Sequence, residues 1–141
     1  MTSSESLGAD HSGAEILDHK ACDRLLESTS VGRVAFVADG EVIILPVNYR
    51  FHEGAIVFRT AVGAKLEAAA RHAPMSFEID GWDEETQTGW SVLVRGTSVD
   101  VLDEEDAEDL FHLGLRPWSN AADRRRWIRI RPDDISGRKI S

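Results

Sequence analysis

The sequence predicts a mainly β (α+β) chain: a small closed barrel of about six antiparallel strands with short flanking helices. Three observations carry this. Runs rich in Val, Ile, Phe and Tyr recur from residue 31 onward, as strands require. Two turn dipeptides, Asp39-Gly40 and Glu53-Gly54, part three such runs within thirty residues, the mark of a meander. Helical patterns are few and sit at crossovers rather than alternating with strands, which opposes a parallel α/β sheet. Closure into a barrel removes the edges that the strands would otherwise expose.

The elements follow in order. The polar opening "MTSSESLGADHSG" lacks apolar residues to bury, so residues 1–14 are expected to be a disordered tail, with one domain over 15–141. "LDHKACDRLLEST" reads as a helix capped by Asp18, with Leu25 and Leu26 turned inward. The stretch "VGRVAFVADGEVIILPVNYRFHEGAIVFRT" is the meander. Pro46 in its middle run belongs at a bulge or an edge, since it has no N–H for a ladder. A short helix is expected over residues 64–71, then the strand "MSFEID", the loop "GWDEETQTG" and the long strand "WSVLVRGTSVDVL". "DEEDAEDLFHLGL" reads as a helix capped by Asp103, with acidic residues suited to its N-terminal dipole. "RPWSNAADRRR" is a loop. In the last strand, "WIRIR", alternation puts Trp127 and Arg129 on one side and Ile128 and Ile130 on the other.

Composition narrows the function. At 141 residues with 42% hydrophobic and 29% charged residues, the chain is one ordinary globular domain. No apolar run approaches a membrane span, and the N-terminus lacks the apolar core of a secretory signal. The lone Cys22 excludes an internal disulfide and fits a reducing cytoplasm. Residues 1–115 hold 8 Lys and Arg against 22 Asp and Glu, whereas residues 116–141 hold 8 against 3, and the net charge is −9. Such a chain repels nucleic acid and anionic membranes, so neither is expected as a partner. His11, His19, His52, His72 and His112 are scattered without metal-ligand spacing, so no metal is expected. No dinucleotide fingerprint, Walker loop or nucleophile elbow is present. Without an evident acid, base or nucleophile, any chemistry falls to a cofactor.

Three segments carry candidate site residues. In "FRTAVGAKLEAA", Arg59 and Thr60 end a strand, Gly63 permits a sharp turn, and Lys65 opens a helix. Cations beside free helix N–H groups form an anion site suited to phosphate. The plain alternative is two solvated surface charges. In "LPVNY", Pro46 interrupts a strand and frees backbone beside Val47 and Asn48 for a flat heterocycle such as a flavin; the alternative is an ordinary edge proline. In "GWSVLVRG", the Trp90 indole can wall a ring and the Ser91 hydroxyl can reach a polar group; the alternative is a core or interface Trp.

In order, the helix, "VGRVAFV", "LPVNY", "FRTAVGAKL", "FEID", "GWSVLVRG", "LRPW" and "RPDDISGRKI" resemble the pyridoxamine 5'-phosphate oxidase-like family of the FMN-binding split β-barrel superfamily. The likeness is to its short actinobacterial-type members and covers nearly the whole chain. It implies a six-stranded antiparallel split barrel over 15–141, a homodimer, and flavin sites in the clefts between subunits. By the same resemblance, the strand matching Ile43 to Asn48, with Pro46, Val47 and Asn48, lines the isoalloxazine. Arg59, Thr60 and Lys65 hold the phosphate. Trp90 and Ser91 approach from the long strand, in the dimer from the partner chain, and Trp118 is a candidate lid. The function implied is an FMN-dependent oxidoreductase passing electrons to a small-molecule substrate in the cytoplasm. Alternatives are a non-catalytic flavin carrier or sensor, or a reductase using FAD or a deazaflavin on the same fold. Two departures bear on this. Leu110 stands where the substrate-binding tyrosine of true pyridoxamine-phosphate oxidases is expected, and no Arg precedes Arg116 on that helix. Vitamin B6 oxidation is therefore not the expected activity. Ala64-Lys65 also replaces a doublet of basic residues, leaving one cation fewer for the cofactor.

Overall fold

The computed structural model describes residues 6–61, 72–100, 110, 112–114 and 125–141, excepting the side chains at 60, 61, 100, 125 and 126. Its elements run β1 (Ser6–Ala9), β2 (Glu15–Leu17), α1 (His19–Ser28), β3 (Val31–Ala38), β4 (Glu41–His52), β5 (Ala55–Ala61), β6 (Pro74–Asp83), β7 (Thr88–Asp100) and β8 (Arg125–Ile140). The sheet order is β1-β2-β8-β5-β4-β3-β6-β7, and β7 pairs back onto β8. Six strands, β3 to β8, thus close into an antiparallel barrel, with the β1–β2 hairpin appended to β8.

The meander forms where its turn chemistry predicts. Asp39 and Gly40 have φ of 52° and 76°, and Glu53 and Gly54 have 51° and 76°. Positive φ at both central residues is the type I′ geometry that matches strand twist. α1 starts at Asp18, whose carboxylate accepts the Ala21 N–H at 2.9 Å. Leu26 on α1 is fully buried and Leu25 packs against the core from its rim.

Three expectations change. Within the segment expected to be a disordered tail, Ser6–Ala9 instead pairs with β2. Asp10 secures the hairpin by accepting from the Ser12 and Ala14 N–H groups and from Arg138 Nε at 3.1 Å. Backbone pairing and one ion pair replace the apolar burial that the segment lacks. The loop expected after "MSFEID" narrows, because β6 runs on to Asp83. The last strand runs far beyond "WIRIR", to Ile140. Its register against β7 shifts between Arg95 and Gly96, which oppose Asp134 and Pro132, so Pro132 sits beside a bulge that tolerates its missing N–H. The helix expected over 64–71, and all but a few residues of the one expected over 103–115, lie outside the described residues.

Alternation fills the barrel. Val34, Tyr49, Ile56, Phe58, Phe77, Val92, Val94 and Ile130 are fully buried and, with Leu26 and Ile128, form one core. Tyr49 meets Phe77 edge-on, with ring centroids 4.6 Å apart. Following the register from Trp90 to Gly81, across β3 to Tyr49, then Phe58, Ile128 and back to β7, the path returns at Asp100. This stagger of about ten residues is the tilt that closes six strands around packed side chains.

The Tyr49 hydroxyl ties this core to α1. It donates to the Leu26 carbonyl at 2.7 Å and meets the Thr29 hydroxyl. Tyr49→Phe leaves the Leu26 carbonyl without that donor and should lower stability by about 1–2 kcal/mol. The check is a reduced urea midpoint at unchanged denaturant slope; an unchanged midpoint would show the hydroxyl is dispensable.

Candidate functional site

β4 is shared unequally between its neighbours. Val31 to Ala38 of β3 pair with Glu41 to Asn48, whereas β5 pairs with β4 only from Tyr49 to His52. Over Val42 to Val47, the other edge of β4 has no strand partner among the described residues. Pro46 therefore stands on an edge, one of its two expected places. The barrel is split here, and β5 continues past the parting point into Arg59 and Thr60.

The sequence-predicted residues divide between two regions. Val47 is buried in the core, while Pro46 and Asn48 face outward. Continuing the pairing of Tyr49 with Phe58 sets Asn48 opposite Arg59, so these two flank the mouth of the split on the outer face. Thr60 follows on β5, opposite Arg126 in the register with β8. Lys65 and Trp118 lie outside the described residues.

Arg59 is half-buried, with its Cζ 5.4 Å from the centroid of the Trp127 ring. Trp127 is anchored in a small outer cluster with Val57, Leu110 and Leu113. A guanidinium over an indole gains a cation–π attraction and loses freedom. Arg129, opposite Val57, lies on the same outer face of β8 two residues along from Trp127. Trp127 and Arg129 are the residues missed as site candidates. Their side of the strand is legible in "WIRIR", but their pairing with β5 is not local.

Trp90 and Ser91 occupy a different part of the barrel and point to opposite faces of β7. Trp90 turns inward against the core's rim. A Cβ at Gly81 would lie 2.6 Å from its Nε1, so the indole lies against the backbone opposite it. Ser91 faces outward. Across the outer face it aligns with Asp80, Val31 and Asn48, three strand spacings or roughly 14 Å from Asn48. Within one chain, Ser91 is therefore not beside the split.

Between them lies a charged triad. Arg33 Nη2 donates to Glu78 Oε1 at 2.7 Å and also to Asp80. Around it the outer face is apolar and open: Val31, Val37, Val42, Ile44 and Leu93 are all exposed. Among the described residues, no helix is long and apolar enough to cross a membrane, and no three His, Cys, Asp or Glu are grouped to hold a metal ion.

Comparison with known proteins follows the same outline. A family model described as pyridoxamine 5'-phosphate oxidase matches residues 18–139. An uncharacterised protein of Mycobacterium tuberculosis is 34% identical over 129 residues, covering 88% of this chain and 84% of its own. The structure of an FAD binding protein from Mycobacterium smegmatis aligns at a TM-score of 0.75 with 36% identity, covering 89% of this chain and 99% of that one. A conserved protein of unknown function from Corynebacterium diphtheriae aligns at 0.76 with 32% identity, covering 91% and 98%.

The triad has a pH signature. Burial first, then the hydrogen bond that protonated Glu78 donates to Asp80 and the charge of Asp80, raise the Glu78 carboxyl above the usual glutamate range against the pull of Arg33. An acid whose folded pKa is raised holds its proton more tightly when native. Its contribution is full below the unfolded pKa and is lost as pH rises through the folded one. Wild-type stability should fall over that window relative to Glu78→Gln, the gap opening as pH rises from the ordinary glutamate value. Paired urea titrations at stepped pH give the test, and parallel profiles would sink it.

Proposed function

The chain belongs to the pyridoxamine 5'-phosphate oxidase family, and on that premise we propose that it binds a flavin nucleotide and passes electrons between it and a small organic molecule. The observation that carries this reading is the mouth of the split, where Arg59, seated on Trp127, flanks the outward-facing Asn48.

The donor set fits such a ligand. Arg59, seated on Trp127, presents positive charge for a phosphate, and Arg129 on the same outer face is the second cation of this reading. The edge of β4 over Val42 to Val47 offers backbone N–H and C=O groups to the polar rim of an isoalloxazine, except at Pro46. A bound flavin supplies the electron-transfer chemistry. The chain's own residues bind the phosphate, orient the ring along β4 and keep water from its apolar face. A homodimer completes the site: the exposed Val31, Val37, Val42, Ile44 and Leu93 form a face for a second copy, which brings its own Ser91 toward the ring. Of the pair Trp90 and Ser91, Ser91 is the better placed, because it shares the outer face.

Vitamin B6 oxidation is not part of this reading. Leu110, in the expected place of the substrate-binding tyrosine, is buried beside Val57 and Trp127 and offers no hydroxyl to a substrate phosphate. Between flavins, the FAD binding relative from M. smegmatis favours FAD as a second reading beside FMN, since both carry the same ring and first phosphate.

Two measurements test this. Mass spectrometry of the ligand released from purified protein should find FMN or FAD; colourless protein whose melting temperature and flavin spectrum ignore an excess of either would refute the proposal. Arg59→Ala and Arg129→Ala should each weaken flavin binding by about 1.5–3 kcal/mol, the loss of a charge-assisted contact. Losses below about 0.5 kcal/mol for both would return them to solvated surface charges.

A further inference from the structure

α1 does not completely seal the barrel end that it covers. Between it and the rim of β7 and β8 lies a crevice of ≈ 280 Å³. Leu17, Leu25 and the Trp90 indole form its apolar walls, and Arg24 and Lys139 bring two cations to it. The ring of Trp90 lies against the backbone of Gly81. Glu15 opposes Lys139 in the register of β2 with β8, but Lys139 makes no ion pair among the described residues. Paired cations at an apolar slot stand out on a chain of net charge −9.

Size and polarity define what fits. An apolar cavity of about 150 Å³ takes a benzene ring, so this crevice has room for one ring with a short acidic arm and none for a flavin. A neutral ring would leave the charge of Lys139 unused, and inorganic phosphate would leave the apolar walls wet. We infer that the crevice between α1 and the β7–β8 rim binds a small aromatic carboxylate, its ring against Trp90 and Leu25 and its carboxylate directed to Lys139 and Arg24. The site is separate from the mouth of the split: it lies on the inner side of β7, whereas Arg59, Asn48 and Ser91 lie on the outer face of the barrel.

The probes are 3-phenylpropionate and its neutral amide, 3-phenylpropionamide, titrated into the full-length protein by calorimetry and ligand-observed NMR. The acid should bind with a dissociation constant on the order of 1 mM or tighter, and the amide about tenfold more weakly. Lys139→Gln should weaken the acid about tenfold and leave the amide unchanged. Leu25→Trp should fill the slot and abolish both. Arg59→Ala should leave acid binding untouched, which separates failure of this site from failure of flavin binding. Equal affinity for acid and amide, full binding by Lys139→Gln, or no saturation by about 10 mM ligand would overturn the inference; Lys139 is exposed, so its replacement reads out even where Leu25→Trp does not fold.

Discussion

The structure depends on β8 serving three partners. One of its edges follows β7 from Ile128 to Ile140, while the other meets β5 over Arg125 to Ile130 and then β2 over Gly137 to Lys139. A strand bonded on both edges cannot stay straight around a barrel, and the bulge beside Pro132 supplies the bend. Closure then satisfies backbone groups that six strands would otherwise leave at two open edges. It also distributes the basic C-terminal stretch. Trp127 and Arg129 reach one region of the barrel beside Arg59, while Arg138 and Lys139 reach another beside Asp10 and Trp90.

Among the described residues, closure is incomplete at β4, and the candidate site lies where it is incomplete. The stagger that seats the core carries the N-terminal half of β4 past the end of its pairing with β5. Val42, Ile44 and Leu45 are exposed there, an arrangement that costs the isolated chain and favours something that covers it. Pro46 blunts the edge against indiscriminate pairing. An edge that is apolar, short of one N–H and flanked by Arg59 is poorly suited to another strand and better suited to a flat ligand with a charged tail.

Much of this was legible in the sequence because it is local. The I′ turns at Asp39-Gly40 and Glu53-Gly54, the Asp18 cap and the alternation of Trp127 to Ile130 each depend on a few neighbouring residues. The hairpin at Ser6–Ala9 was not legible, since its anchor, Arg138, is 128 residues from Asp10. The length of β8 was hidden by Pro132, Asp133, Asp134 and Gly137, which read as breakers until a bulge and close packing against Cys22 and Leu17 account for Pro132 and Gly137. At the site, Arg59 and Pro46 could be named from their own segments. That Trp127 seats Arg59 required the pairing of β5 with β8. The opposite facing of Trp90 and Ser91 follows from the two-residue period of any strand and could have been read in advance.

Net charge and local charge give opposite expectations for an anionic ligand, and distance decides between them. At physiological ionic strength the Debye length is about 8 Å, so exposed carboxylates on remote faces act weakly at the split or at the α1 crevice. Arg59 stands at the mouth of the split itself, and the indole of Trp127 beneath it spares it part of the entropy of being ordered. The acidic majority then sets how copies of the chain repel one another at long range. The local field at each candidate site is set by the side chains that border it. On the outer face between the split and β7, Arg33 holds the carboxylates of Glu78 and Asp80 in ion pairs, which offsets part of their negative charge.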